Sequence, residues 1–167
     1  MSPATLTRPF TRPDPAPSLD AAFSSNGPVL VAVDDEANAA VLLSRGHDAA
    51  VRLGVTLRVV YIWSRCRPPD CSHHRRCHQD MEGANRFSRR LLDEHLPEAT
   101  APVEREVVHD ENPASALAAL SVGASLLLIG AEAAGGAVGE TTRALLGRAA
   151  CPVTVVRDHR RSSASVN

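Results

Sequence analysis

Five short apolar runs, each separated from the next by a stretch of chain long enough for one helix, constrain this sequence more than anything else in it. "PVLVAVD" (28–34), "TLRVVYIW" (56–63) and "SLLLIGA" (125–131) are nearly unbroken and rich in β-branched or Leu residues. Such runs suit strands buried on both faces. "VEREVVHD" (103–110) alternates, as a strand nearer a sheet edge does, and "CPVTVVR" (151–157) closes the series. Between them, 36–54 has apolar residues at helical spacing and ends on Gly54, 81–96 is halted by Pro97, and Asn112-Pro113 offers a cap and a first-turn proline. A short fourth helix fits 139–149. The order βαβαβαβαβ predicts an α/β fold: a flavodoxin-like, doubly wound, parallel five-stranded sheet in a three-layer sandwich. Ligands of such sheets bind beyond the carboxyl ends of the strands. Here those ends are Asp34, Ile62 with Trp63, and Gly130.

Composition bounds the rest. Residues 1–27 hold five prolines by position 17 and few large apolar groups, so burial there does not offset ordering entropy. We expect a disordered tail at 1–27, a single domain over 28–157, and a second tail at 158–167. Aromatic content is only 3%, which leaves the core to Ala, Val, Leu and Ile. The net charge of −1 points to neither nucleic acid nor membrane as a partner. All eighteen basic residues are Arg, so no Schiff-base or phosphate-loop lysine is available. No apolar run matches a membrane span or a signal peptide, and a reducing, cytoplasmic location is expected.

"VLVAVD", "NPASAL", "LLLIGA" before a Gly-rich loop, and "CPVTVVR" occur in an order and spacing that resembles the universal stress protein family over about 28–157. The resemblance implies a domain that often dimerises through its last strand, here 151–157, and a split between ATP-binding and non-binding members. It places Asp34 against an adenosine moiety and Ile62 in an adenine pocket. The binding signature runs Gly-x-x-Gly, a longer spacer, then Gly followed by Ser or Thr. Gly130 matches its first glycine and Gly139 its last. Thr141 and Thr142 stand near enough to supply hydroxyls. The departures are Ala133 for the second glycine, a shorter loop, and Glu140 for the Ser or Thr. A carboxylate at a helix start accepts the free N–H groups itself, worth a few tenths to ~1 kcal/mol, and repels a triphosphate. The resemblance therefore implies an adenine nucleotide as the cofactor class, with ATP bound weakly or not at all. It implies a regulatory stress-response binding protein, the alternative being an ATP-dependent switch.

The segment "RCRPPDCSHHRRCH" (65–78) stands apart from that family pattern. Cys66, Cys71, His74, Cys77 and His78 are candidate zinc ligands, with Cys66 and Cys71 forming a loop pair. If the second helix already begins near residue 73, His74 and His78 lie four apart on one face, as do His73 and Cys77. The flanking arginines oppose a cation but favour thiolate, which suits a thiol redox sensor or an anion site instead. A solvated basic loop with incidental Cys and His is the plain alternative. No nucleophile with a base and an orienting partner is visible, so no catalytic residue is assigned and no enzymatic turnover is expected. Cys151 reads as a small buried residue, and His47, His95 and His109 as surface histidines.

Overall fold

A computed structural model describes residues 26–34, 36–65, 77–131 and 139–157; the side chains of 36, 37 and 77 are excepted. In chain order the elements are β1 (Val29–Val33), α1 (Glu36–Leu53), β2 (Leu57–Arg65), β3 (Cys77–His78), α2 (Met81–His95), β4 (Val103–His109), α3 (Pro113–Leu120), β5 (Leu126–Gly130), α4 (Glu140–Leu146) and β6 (Val153–Val156). All pairings are parallel. The five long strands lie in the order β4-β2-β1-β5-β6, and β3 adds a two-residue ladder to the end of β2. The architecture is the doubly wound α/β sandwich expected. Of the tails expected at 1–27 and 158–167, residues 1–25 and 158–167 lie outside the described residues.

The pleat sorts the apolar residues into two cores, because successive side chains point to opposite faces of a strand. Val29, Val31 and Val33 face α1 and α2, packed with Leu42, Leu43, Leu57, Tyr61 and Leu91. Leu30 faces α3 and α4, packed with Val60, Ile62, Leu117, Leu127, Ile129 and Leu145. Val29, Leu30 and Val31 are all completely buried, which explains the unbroken apolar run. β4 pairs only with β2 among the described residues, consistent with its alternating edge pattern.

Local chemistry sets where the helices begin and end. Gly54, at φ 66°, turns the chain out of α1, and the Val55 N–H donates to the Ala50 carbonyl at 3.0 Å. The Asp80 carboxylate accepts from the Gly83 N–H at 2.8 Å and starts α2. Asn112 does the same for Ser115 at 3.0 Å, with Pro113 in the first turn of α3. His47 departs from the surface role expected of it. Its Nε2 accepts from the backbone N–H of Thr100 at 3.0 Å and of Ala101 at 3.4 Å. This ties the connector before β4 to α1, and no periodicity in the sequence signals it.

Gly46 sits mid-helix, where glycine is otherwise unfavourable. A Cβ there would lie 2.1 Å from Cγ2 of Val31, so α1 rests directly on β1. We predict that Gly46→Ala, despite its better helix propensity, lowers stability by roughly 1–3 kcal/mol through overpacking. Gly147, whose Cβ position is open, is the control: Gly147→Ala is expected to be neutral. Chemical denaturation of both variants checks the pair.

Candidate functional site

The chain crosses from one side of the sheet to the other between β1 and β5, and a crevice opens there on the α3/α4 face. Its floor is Ala32, Val60, Ile62, Leu117 and Ile129, with Pro113 at the side. Asp34, Gly130, Thr141 and Thr142 supply its polar groups. Its volume is about 70 Å³.

Asp34, Ile62, Gly130, Gly139 and Thr141 are all among the described residues. Asp34 follows β1 and is the one ionisable side chain among the described residues of the lining. Ile62 is buried and points into the crevice from β2. Gly130 contributes backbone only. A Cβ on it would come 2.3 Å from the Asn38 amide nitrogen of α1, the end of a side chain that would have to swing aside. Gly139 is buried and caps α4 through its backbone, its carbonyl accepting from Arg143 N–H at 2.9 Å. Thr141 lines the crevice, while Glu140 is exposed in the first turn of α4. Ala133 lies outside the described residues. The crevice also gathers Pro113, Leu117 and the buried Thr142. The signal for the first two was their i, i+4 spacing on α3. Thr142 Oγ1 lies 3.5 Å from the Gly130 carbonyl, a long contact that leaves its hydroxyl open to a better partner.

The opposite face of β2 carries a different cluster. Tyr61, Trp63, His78, Phe87 and His109 hold their rings in edge-on or tilted contact, with centroids 4.6–6.2 Å apart. The fully buried Tyr61 hydroxyl bonds Nε2 of His78 at 2.8 Å. Burial lowers the His78 pKa; Asp80 opposes this, and Arg86 adds to it.

His78 is the candidate zinc ligand whose side chain is described, and its Nε2 is engaged by a phenol. Cys66, Cys71 and His74 lie outside the described residues, and only the backbone of Cys77 is placed. The helical spacing expected for His74 and His78 does not hold. Cys77 and His78 are extended and pair with Ser64 and Arg65, and the Asp80 cap delays the helix until Met81. Among the described residues, no three His, Cys, Asp or Glu side chains gather as a metal site. Cys151 is buried, as expected, and its thiol pKa is raised by that burial.

A doubly wound parallel sheet with a crevice at the crossing of β1 and β5 defines an α/β domain of the flavodoxin-like class. The universal stress protein family model matches residues 26–157, and the chain belongs to that family. No curated protein matches it. Three solved structures share the fold. Universal stress protein UspA from Lactobacillus plantarum is 20% identical, with TM-score 0.60, over 78% of this chain and 97% of that one. A universal stress protein from Archaeoglobus fulgidus in complex with dAMP is 21% identical, with TM-score 0.56, over 77% and 96%. A universal stress protein in complex with cAMP is 19% identical, with TM-score 0.57, over 79% and 97%.

The ring cluster yields a pH prediction. The folded-state pKa of His78 lies below its unfolded value, so its contribution to stability is full above the ordinary histidine range. It is lost as pH falls through that range and below it. The melting temperature of the wild type is expected to drop more between neutral and mildly acidic pH than that of His78→Phe. Parallel curves for the two proteins in a pH series of thermal melts would contradict this.

Proposed function

We propose that this protein is a stress-response binding protein whose switch-point crevice takes an adenine-containing ligand, and that it binds ATP weakly. The observation that carries this reading is the crevice itself: an apolar floor around Ile62 and Leu117 with Asp34 at its rim. A flat base fits the floor, and a carboxylate accepts hydrogen bonds from ribose hydroxyls. The dAMP and cAMP complexes of similarly folded proteins support the ligand class. The exposed Glu140 at the start of α4 supports weak ATP binding, because it sets a negative charge where phosphates would gather. Apolar groups, two hydroxyls and one carboxylate bind and orient a ligand, which favours regulation over turnover.

A homodimer through the last strand, 151–157, belongs to the same proposal. β6 pairs only with β5 among the described residues, and its "VTVV" edge is apolar. No helix among the described residues is long and apolar enough to cross a membrane.

Titration calorimetry with AMP tests the ligand reading. Removing a charge-assisted hydrogen bond costs about 1.5–3 kcal/mol, so Asp34→Ala is expected to weaken AMP by roughly ten- to a hundredfold. Equal affinities in the two proteins, or no heat with the wild type, would refute it.

A further inference from the structure

We propose that the Asn26–Gly27 step, where the chain enters β1, is a site of spontaneous covalent modification. The Asn26 side chain cyclises onto the Gly27 amide nitrogen and then hydrolyses to aspartate and isoaspartate, with solvent water as the co-reactant.

Packing, exposure and an unused donor meet at this step. The fold requires glycine at 27. A Cβ there would lie 1.8 Å from the Gly123 carbonyl oxygen and 2.8 Å from its carbon, backbone atoms that cannot swing aside. The Ser125 hydroxyl donates to the Gly27 carbonyl at 2.6 Å, and the Ser125 N–H to the Pro28 carbonyl at 3.0 Å, which seats the entry to β1 against the turn before β5. Asn26, by contrast, is exposed, so its carboxamide meets water. The Gly27 N–H donates no hydrogen bond among the described residues. Its nitrogen can therefore act as a nucleophile without breaking one, and glycine has no Cβ to obstruct the approach. The chain has five asparagines, and Asn26 alone precedes a glycine. Asn38 and Asn85 lie in α1 and α2 and precede Ala39 and Arg86, while Asn112 precedes Pro113, which has no N–H to lose.

The chemistry balances with water alone. Solvent base takes the Gly27 amide proton, and the nitrogen attacks Asn26 Cγ. The N–Cγ bond forms, the Cγ–Nδ2 bond breaks, and ammonia leaves. Water then opens the cyclic imide at either carbonyl, giving aspartate or isoaspartate. Asn26 lines a groove with Leu53, Arg58 and Glu104 at the amino ends of β1, β2 and β4. The product brings a new carboxylate to that groove, beside the Arg58–Glu104 ion pair at 2.9 Å. The isoaspartyl form also lengthens the backbone by a methylene just ahead of β1. Gly27 keeps its seat on Gly123 and Ser125, so the domain stays folded.

The experiment incubates the full chain at neutral and mildly alkaline pH and follows the amide-to-acid mass gain at each asparagine by peptide mapping. Asn26 is expected to convert at least about tenfold faster than Asn38 or Asn85, to yield both acid isomers, and to convert faster at alkaline pH. The same chain unfolded in urea is expected to convert Asn26 within about threefold of the native rate, because the fold neither buries Asn26 nor bonds the Gly27 N–H. Asn26→Gln, whose longer side chain closes a larger ring, is expected to remove the fast conversion and leave the melting temperature unchanged. Native Asn26 that stays intact while the unfolded chain converts would overturn the proposal. So would equal rates at Asn26, Asn38 and Asn85, or a product made of aspartate alone, which marks direct hydrolysis without the cyclic step.

Discussion

The contact between α1 and the middle of the sheet is the constraint on which the rest depends. Gly46 lets the helix rest on Val31, at the centre of a strand that is buried on both faces. Nearer its start the same helix sets Asn38 over Gly130, so α1 covers both β1 and β5. Gly130 thus packs against α1 on one side and borders the crevice on the other. Any ligand meets only its backbone.

The second consequence follows from the pleat of β2. Ile62 points into the crevice, while Tyr61 and Trp63 point to the ring cluster. The two sites share one strand and face opposite ways. The cluster is aromatic in a chain that is otherwise poor in aromatics, and the Tyr61–His78 hydrogen bond anchors the return of the Cys/His segment onto the sheet. This segment re-enters the fold by packing histidine as a ring. A metal is not needed to explain His78.

Much of this was legible in the sequence. Continuous apolar runs announced β1, β2 and β5, and the alternation of 103–109 announced an edge strand. Asn112-Pro113 announced the start of α3, and Asp34 and Ile62, singled out at the carboxyl ends of β1 and β2, line the crevice. What escaped was decided by contacts distant in sequence. β3 is two residues long and exists only because β2 runs on to Arg65 to receive it. Asp80 reads as one more polar residue until its carboxylate is seen to cap Gly83. His47 carries no local pattern, since its partners lie more than fifty positions away. Thr142 and Thr141 are adjacent threonines, and only the rotation of α4 buries the first and leaves the second at the surface of the crevice.

The central claim is that the ligand of this domain sits on the α3/α4 face at the crossing of β1 and β5. Methyl NMR of the protein titrated with adenosine tests it most directly, because the two cores carry different methyl groups. The account predicts that Val60, Ile62, Leu117 and Ile129 shift with added ligand while Leu43 and Leu91 stay fixed. Shifts confined to Leu43, Leu91 and their neighbours, or no shift at saturating adenosine, would contradict it.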